Sequence, residues 1–305
     1  MIEQGGKVSG YGKGFYPGRG PGTQSSASYG GKLASSSKPC YGSIFEPVSL
    51  GSGGGADHSA QAGGRIRLQV GGTLTVEGEI DADGKVCGYY NSSGGSIWID
   101  CGTLSGAGSV HADGANRTGA YDAGCGGRVA VYQTSATDFT AFTGKITAYG
   151  GTDANVTGAY PDRPAGTVYL QSAGMKDHCG TVKIDNSRWD FNSYSTGGVD
   201  LPVTVQCSDE ARWYRDTAFA LSRGGILALT GDVMIDDLSL DAYSRVNLNG
   251  WTLTIRSRNH RKGKGWPSNW ATAIVYPGSR ADTETGDTIT GQIIWEKTGT
   301  MLFLR

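Results

Sequence analysis

A glycine-led segment recurs along the chain at a spacing of about 31 residues. Copies begin at Gly63 (GGRIRLQVGGTLTVEGEIDADG), Gly94 (GGSIWIDCGTLSGAGSVHADG) and Gly126 (GGRVAVYQ), and a weaker copy, GTVYLQ, begins at Gly166. Spacings of about 20 to 50 residues are typical of folds in which each repeat stacks on its neighbour. Because one repeat cannot bury its own apolar face, this feature constrains the fold more than any other.

Apolar and other residues alternate at the start of every copy. The alternating pairs are Ile66/Leu68, Ile97/Ile99, Val129/Val131 and Val168/Leu170. A two-residue period indicates half-buried strands and not helices. We expect three short strands per copy, for example 96–100, 103–105 and 109–112, each ended by glycine or by a glycine-containing corner.

These patterns predict an all-β fold, a right-handed parallel β-helix. Three-strand coils of about 31 residues would stack over 63–172, and tighter coils would follow toward the C-terminus. We expect 1–305 to form a single domain, with a Gly-rich, loop-heavy first part (1–62) and irregular coils and a cap in 173–305. A β-sandwich of hairpins is the competing interpretation. Only the β-helix would place Ile66, Ile97 and Val129 in one row.

A strand pattern persists in the C-terminal part, although the 31-residue register fades after about residue 172. The residues expected to point inward are Leu227, Leu229, Val233, Ile235, Leu238, Leu240, Val246, Leu248, Leu253 and Ile255. Asn249-Gly250 is a strong turn signal. For the segment around 208–225 we prefer strands to a helix capped by Ser208.

Composition and charge argue against several classes of function. The formal net charge is −1, so no overall field attracts nucleic acid, and no apolar run is long enough to span a membrane. The six cysteines include no C-x-x-C pair, so we predict no metal cluster. The N-terminus has no signal-peptide pattern. We expect the sequence to be a piece of a longer chain, because an exposed first coil needs a cap.

The repeats carry a family likeness. The segments GGSIWI, GTLSGAGSVHADG, GGRVAVY, FTGKITAYGG and AGTVYL resemble Gly-rich repeats of large secreted or surface-displayed bacterial and protist proteins. LSLDAYSRVNLNGWTLTIRS resembles the β-helix passenger segments of autotransporter-like and adhesin-like proteins. The resemblance covers 63–172 and 225–256. It implies an extracellular or cell-surface β-helix used as a stalk, an adhesin or a polysaccharide-handling surface, without a catalytic signature.

Outward positions of successive first strands should stack into columns that mix aromatic and charged side chains. Aromatic rings cover the apolar faces of sugars, and arginine binds carboxylate or sulfate through two hydrogen bonds. We therefore predict a binding strip for a polysaccharide or cell-surface glycan, made of Arg67, Trp98, Asp100, Arg128, Tyr132 and Tyr169. In the alternative interpretation, Trp98 and Tyr169 pack beneath long loops.

An enzyme would need an acid and a base. Asp83 and Asp113 should nearly stack on adjacent coils, about 5 Å apart, where they suit glycoside cleavage or calcium binding. In a lyase, Arg65, Arg67 or Arg128 would neutralise a uronate, and Tyr132 or His111 would take or give the proton. Aspartates at such corners are most often turn residues. Calcium is the only cofactor that these residues suggest.

The sequence thus favours a non-enzymatic, structural or adhesive β-helix outside the cell that contacts carbohydrate. The alternative is a polysaccharide lyase or glycoside hydrolase on a pectate-lyase-like β-helix. An open terminal coil also suggests end-to-end self-association, because unpaired strand edges pair readily with other chains.

Overall fold

The fold is almost entirely β. The computed structural model describes residues 1–24, 26–33, 36–55, 60–87, 90–117, 123–152, 163–187, 199–201, 210–257 and 259–296. The first strands are β1 (Lys7–Ser9), β2 (Arg65–Thr75), β3 (Glu79–Asp81), β4 (Ser96–Ser105), β5 (Ser109–His111), β6 (Arg128–Gln133), β7 (Lys145–Thr147) and β8 (Thr167–Gln171).

Twelve further strands are described in the second part of the chain. They are β9 (Thr181–Asp185), β10 (Val199–Leu201), β11 (Ala218–Ser222), β12 (Ile226–Leu229), β13 (Val233–Ile235), β14 (Asp237–Leu240), β15 (Arg245–Asn247), β16 (Thr252–Ile255), β17 (Val275–Tyr276), β18 (Ser279–Ala281), β19 (Thr288–Thr290) and β20 (Gln292–Trp295). In the described part of the chain, helix is limited to α1 (Ala211–Tyr214), a 3-10 turn at Arg261–Gly263 and a π turn at Trp270–Ile274. Within the described ranges, no helix has the length and apolar character that crossing a membrane requires.

The repeats stack in register. β2, β4, β6 and β8 are parallel neighbours, and Ile66, Ile97, Val129 and Val168 occupy equivalent positions in them. The predicted row is therefore confirmed. A second parallel sheet, in the order β1-β3-β5-β7, places its own apolar row against the same core. Every pair among β1 to β8 is parallel, which the hairpins of a β-sandwich would not give.

Among the residues that the structure describes, each repeat contains two strands and not the expected three. β2 and β4 run through the positions where a first corner was expected, and the pairing between them shifts register between Val70 and Thr73. Gly102 lies within β4 and does not take a left-handed backbone conformation. The corner comes later, at Gly106, whose φ is 105°. The glycines within β2 and β4 therefore accommodate the register shift while the strands stay extended. The chain turns at Gly106, where φ is positive.

Paired glycines at the start of each repeat let successive repeats approach closely. A Cβ added at Gly95 would lie 1.9 Å from the carbonyl oxygen of Gly64, and one at Gly127 would lie 2.2 Å from that of Gly95. No side chain fits at such distances. The GG pattern therefore marks a stacking contact between backbones and does not report a flexible loop.

The sheet reverses direction once, between β8 and β9. These two strands are antiparallel, with Tyr169 opposite Val182, so the prediction of parallel coils throughout is wrong at this point. The connection contains two turns with left-handed residues, Gly174 (φ 80°) and His178 (φ 64°). A tight antiparallel return needs only such a short turn, whereas a parallel crossover needs about a dozen residues or more.

A second core follows the reversal. β9, β11 and β14 continue the same seven-stranded sheet in parallel, and β10-β12-β15-β17 and β13-β16-β20 form two further parallel sheets. β18 and β19 form a separate antiparallel pair, which also departs from the expected parallel coils. Strand partners lie 19 or 20 residues apart in three of the seven parallel pairs described here, as in Phe219 with Leu238 and Val233 with Leu253. The partners in the other four pairs lie 28 to 40 residues apart, so the tighter spacing that was expected holds for only some of these strands. All ten residues that were expected to point inward are buried.

Two local predictions in this part have different outcomes. Asn249 and Gly250 form the expected turn, with φ values of 51° and 82°. The segment around 208–225 contains one helical turn, α1, followed by β11, so each of the two interpretations holds for part of it. Ser208, the expected helix cap, lies outside the described residues.

Candidate functional site

The outward positions of the predicted binding strip line up across neighbouring strands, as expected. Arg67, Trp98, Ala130 and Tyr169 are successive neighbours across β2, β4, β6 and β8, and Asp100 lies beside Tyr132. Cross-strand neighbours share one face of a sheet. The strip is therefore continuous in the backbone, and the accessibility of its side chains decides what it can bind.

Only one end of the strip is open to solvent. The Arg67 guanidinium lies 3.6 Å from the centre of the Trp98 ring and donates to Asp100 Oδ2 at 3.2 Å. Trp98 Nε1 donates to the other oxygen of Asp100 at 3.1 Å. Arg67 is half exposed, while Trp98 and Asp100 are partly buried. We refer to Arg67, Trp98 and Asp100 as the Trp98 patch.

The other end of the strip is covered. Arg128 is 1% exposed and donates from Nε to the Tyr41 carbonyl at 2.9 Å. Tyr169 is fully buried. The Tyr132 hydroxyl donates to the Phe45 carbonyl at 2.9 Å. The alternative in which a long loop covers aromatic side chains thus holds for Tyr169, and the structure places Arg128 in the interior as well.

The cover is the segment around residues 41–50. Phe45 is fully buried, and its ring contacts those of Tyr169 and His178 at centroid distances of 4.9 and 4.8 Å. The buried Glu210 carboxylate fixes the segment, because its Oε1 accepts from the Ile44 backbone N–H at 2.5 Å and from the Ser43 hydroxyl at 3.2 Å. The apolar residues in CYGSIFEPV were the sequence signal for this packing.

The second group of predicted residues meets at one corner of the stack. His111 lies beside Asp81 in the strand register, and its Nδ1 is 2.9 Å from Asp83 Oδ1. The Asp113 backbone N–H donates to the same oxygen at 2.6 Å, so Asp83 and Asp113 are neighbours on adjacent repeats as expected. Of the five candidate catalytic residues, Asp83, Asp113 and His111 lie together, whereas Arg128 and Tyr132 lie under the 41–50 segment.

Two residues that sequence reasoning missed complete this corner. Lys7 Nζ lies 2.6 Å from Asp81 Oδ2 and 2.9 Å from Glu79 Oε2. The Tyr149 backbone N–H donates to Asp113 Oδ1 at 2.6 Å. Lys7 belongs to β1, which pairs with β3 as an additional short strand ahead of the first recognised repeat. The alternating KVS triplet was its only sequence signal.

The surroundings raise the pKa values of two members of this cluster, Asp113 and His111. Burial and the charge of Asp83 raise the pKa of Asp113 to about 7, against the hydrogen bonds from Tyr149 and Thr147. Burial lowers the pKa of His111, but its hydrogen bond to Asp83 and the nearby carboxylates outweigh this and bring the pKa to about 9. At neutral pH, His111 is therefore a cation and Asp113 is only partly ionised.

A metal ion has one candidate position here. Asp81, Asp83 and His111 each offer one donor atom, and these three atoms lie within 4.8 Å of one another. Calcium takes about six to eight oxygen ligands, and this set offers it only two carboxylates beside an imidazole. Lys7 and the protonated His111 already neutralise both carboxylates. The donor set therefore fits calcium poorly, although Asp83 and Asp113 are adjacent.

A polar cleft of about 280 Å³ opens beside the cluster. Its lining includes Asp83, Asp113, Asn116, Tyr149 and Thr152. These side chains and the Tyr149 ring provide hydrogen-bonding groups and one aromatic surface, which is chemistry suited to a hydroxyl-rich ligand. A scan against models of known protein families matches none, and no similar characterised protein or solved structure is found.

Proposed function

We propose that the protein is a right-handed parallel β-helix that serves as a structural or adhesive segment outside the cell or on its surface. The row formed by Ile66, Ile97, Val129 and Val168 carries this proposal, because residues 31, 32 and 39 apart in sequence are parallel neighbours. A right-handed sense is expected from the handedness of parallel crossovers. The location rests on the resemblance of the repeats to secreted and surface-displayed proteins.

We further propose that this segment contacts a polysaccharide or cell-surface glycan through the Trp98 patch. Asp100 binds both Arg67 and Trp98, so the guanidinium plane is held over the indole. A fixed, half-exposed guanidinium is ready to hydrogen-bond a carboxylate or sulfate with little loss of side-chain entropy. The patch is small, so we expect weak binding to single sugars and useful affinity only for polymers.

A panel of immobilised polysaccharides tests this binding. Pectin, alginate, heparan sulfate and a neutral glucan would be compared by retention of the purified protein at two salt concentrations. We expect retention on at least one acidic polymer and a loss of about fivefold in Trp98→Ala. Tyr16→Ala, which changes an aromatic residue that is 68% exposed, is the matched control. Absence of retention on every polymer would overturn the proposal.

A polysaccharide lyase or glycoside hydrolase is the second candidate. It is favoured by the contact between Asp83 and Asp113 beside the 280 Å³ cleft, and by the raised pKa of Asp113, which suits a group that exchanges protons near neutral pH. In such an enzyme, Tyr149, which lines the cleft, would replace Tyr132 as the tyrosine that transfers the proton. New reducing ends would identify a hydrolase, and absorbance from unsaturated uronates a lyase. Either product should disappear in Asp113→Asn.

We also propose that the protein associates end to end with further copies of itself. β2 is the terminal strand of the seven-stranded sheet, and its edge offers backbone groups to another chain. At the opposite edge, the Trp266 indole N–H donates to the Leu238 carbonyl of β14 at 2.8 Å and so protects that edge. Light scattering over a concentration series tests this, and a constant monomer mass would contradict it.

A further inference from the structure

The reversal between β8 and β9 leaves a cleft of about 220 Å³ at the end of the first core. The inner face of β8 carries Val168, and a further parallel repeat would place another apolar residue beside it. The antiparallel return instead places Lys183 opposite Val168. Ile146 and Val168 therefore line the floor of a cleft that has charged walls.

The walls of this cleft carry a surplus of positive charge. Three cations, Lys145, Lys183 and Arg223, and one carboxylate, Asp185, line it, which leaves two positive charges unbalanced. Asp185 is bound to Arg223, whose Nε donates to Asp185 Oδ1 at 3.0 Å. Lys145 and Lys183 are exposed, and no ion pair joins either of them to another described residue.

Hydrogen bonds hold Arg223 and Asp185 in place, while Lys145 and Lys183 stay exposed. Arg223 Nη2 donates to the Tyr149 hydroxyl at 3.0 Å, and the Arg223 backbone N–H donates to Asp241 Oδ2 at 2.7 Å. Arg223 takes a left-handed conformation (φ 46°), which is uncommon for a residue with a side chain. Such strain persists only where the surroundings fix it, and here the bonds to Asp185, Tyr149 and Asp241 do so.

Size and chemistry together select the ligand. Cofactor and drug-sized ligands occupy sites of roughly 300 Å³ or more, so a 220 Å³ cleft suits a single sugar ring. The aliphatic floor suits the C–H face of such a ring. Two ammonium groups without carboxylate partners suit a carboxylate on that ring. A neutral sugar would leave these charges without a partner, and a bare inorganic anion would leave the floor uncovered.

We propose that this cleft binds one hexuronate residue of an acidic polysaccharide. Lys145 and Lys183 bind its carboxylate, Ile146 and Val168 contact one face of its ring, and Asp185 and the Tyr149 hydroxyl accept hydrogen bonds from its hydroxyl groups. This inference rests on the proposed function of carbohydrate binding, and it assigns that function a second site, separate from the Trp98 patch.

Calorimetric titration with trigalacturonate tests the assignment on the full chain, with the methyl ester of the same trisaccharide as a neutral match. We expect the double variant Lys145→Gln/Lys183→Gln to bind trigalacturonate at least about tenfold more weakly than the unmodified protein. Lys13→Gln/Lys176→Gln removes two lysine charges that lie outside the cleft lining and should stay within about twofold. The ester should not bind measurably.

The outcomes separate this site from the general proposal. Unchanged trigalacturonate affinity in Lys145→Gln/Lys183→Gln, with loss in Trp98→Ala, would overturn the cleft assignment and leave carbohydrate binding standing. Equal binding of inorganic sulfate, or of the neutral ester, would also overturn the uronate assignment. If no saccharide binds either here or on the polysaccharide panel, both proposals fall.

Discussion

Tyr169 and Val182 lie opposite each other across the antiparallel pair of β8 and β9, so their side chains share one face of the seven-stranded sheet. Val168, next to Tyr169 in sequence, points to the other face. The first core therefore packs on one face of this sheet and the second core on the other. This relationship explains why Tyr169 is fully buried although it occupies an outward row of the first repeats.

Truncating Phe45 should be strongly destabilising. The ring is fully buried and contacts Tyr169, His178 and Trp213. Phe45→Ala should lower the free energy of unfolding by about 3–5 kcal/mol, measured by urea denaturation. Tyr16→Ala, at an exposed position, should change it by less than about 0.5 kcal/mol. Equal effects of the two substitutions would mean that the 41–50 segment does not cover the sheet.

A glycine pair tests the close stacking of repeats. Gly95→Ala should cost about 3 kcal/mol or more, because its new methyl group would meet the Gly64 carbonyl oxygen at 1.9 Å. Gly71→Ala places the same group in open space, with nothing within 4 Å, and should be neutral or slightly stabilising. Thermal unfolding of the two variants gives the comparison, and a tolerated Gly95→Ala would argue against backbone contact between repeats.

Stability should fall as pH rises from acidic to mildly alkaline conditions. The folded state raises the pKa of Asp113 from 3.8 to about 7 and that of His111 from 6.5 to about 9. The folded chain thus binds more protons than the unfolded chain. Asp113 therefore contributes a loss of stability between about pH 4 and 7, and His111 a loss between about 6.5 and 9.

Asp113→Asn removes the first contribution and also reduces the second, because the Asp113 charge helps to raise the pKa of His111. At pH 8 the variant should be more stable than the unmodified protein by on the order of 1 kcal/mol, and near pH 3 the two should be equal, because Asp113 is then neutral. Urea midpoints at several pH values provide the measurement, with Glu3→Gln as the control substitution. An Asp113→Asn variant that is less stable at pH 8 would show that ionised Asp113 stabilises the fold.

Local sequence patterns were sufficient to predict the rows of the first core and the buried residues of the second. Alternation identified Ile66, Ile97 and Val129, and the same alternation identified Leu227 and Ile255. Such patterns report which side of a strand is apolar, and the repeat spacing reports which strands are neighbours. Both quantities are local or periodic, so they can be read from the chain without knowledge of its tertiary structure.

Alternation and repeat spacing did not predict the antiparallel return from β8 to β9 or the covering of the sheet by the 41–50 segment. The alternation in Val168, Tyr169 and Leu170 is compatible with either face being buried, so periodicity alone does not reveal that a second core uses the Tyr169 side. The cover brings together Phe45 and Tyr169, which are 124 positions apart in sequence. Contacts of this kind are specified by shape and not by period, which is why the predicted binding strip proved longer than its exposed part.

The stacking of Glu79 directly beside Ser109 offers the most direct test of the central claim, that residues one repeat apart are in-register neighbours. Parallel neighbours lie about 4.8 Å apart, within the Cα separation that a disulfide spans, so Glu79→Cys/Ser109→Cys should oxidise readily to a bond that peptide mass spectrometry identifies. Positions 77 and 109 are two residues out of register and about 8 Å apart, so Glu77→Cys/Ser109→Cys should not form this bond. Equal bonding in both variants, or bonding in the second alone, would contradict the stacked arrangement.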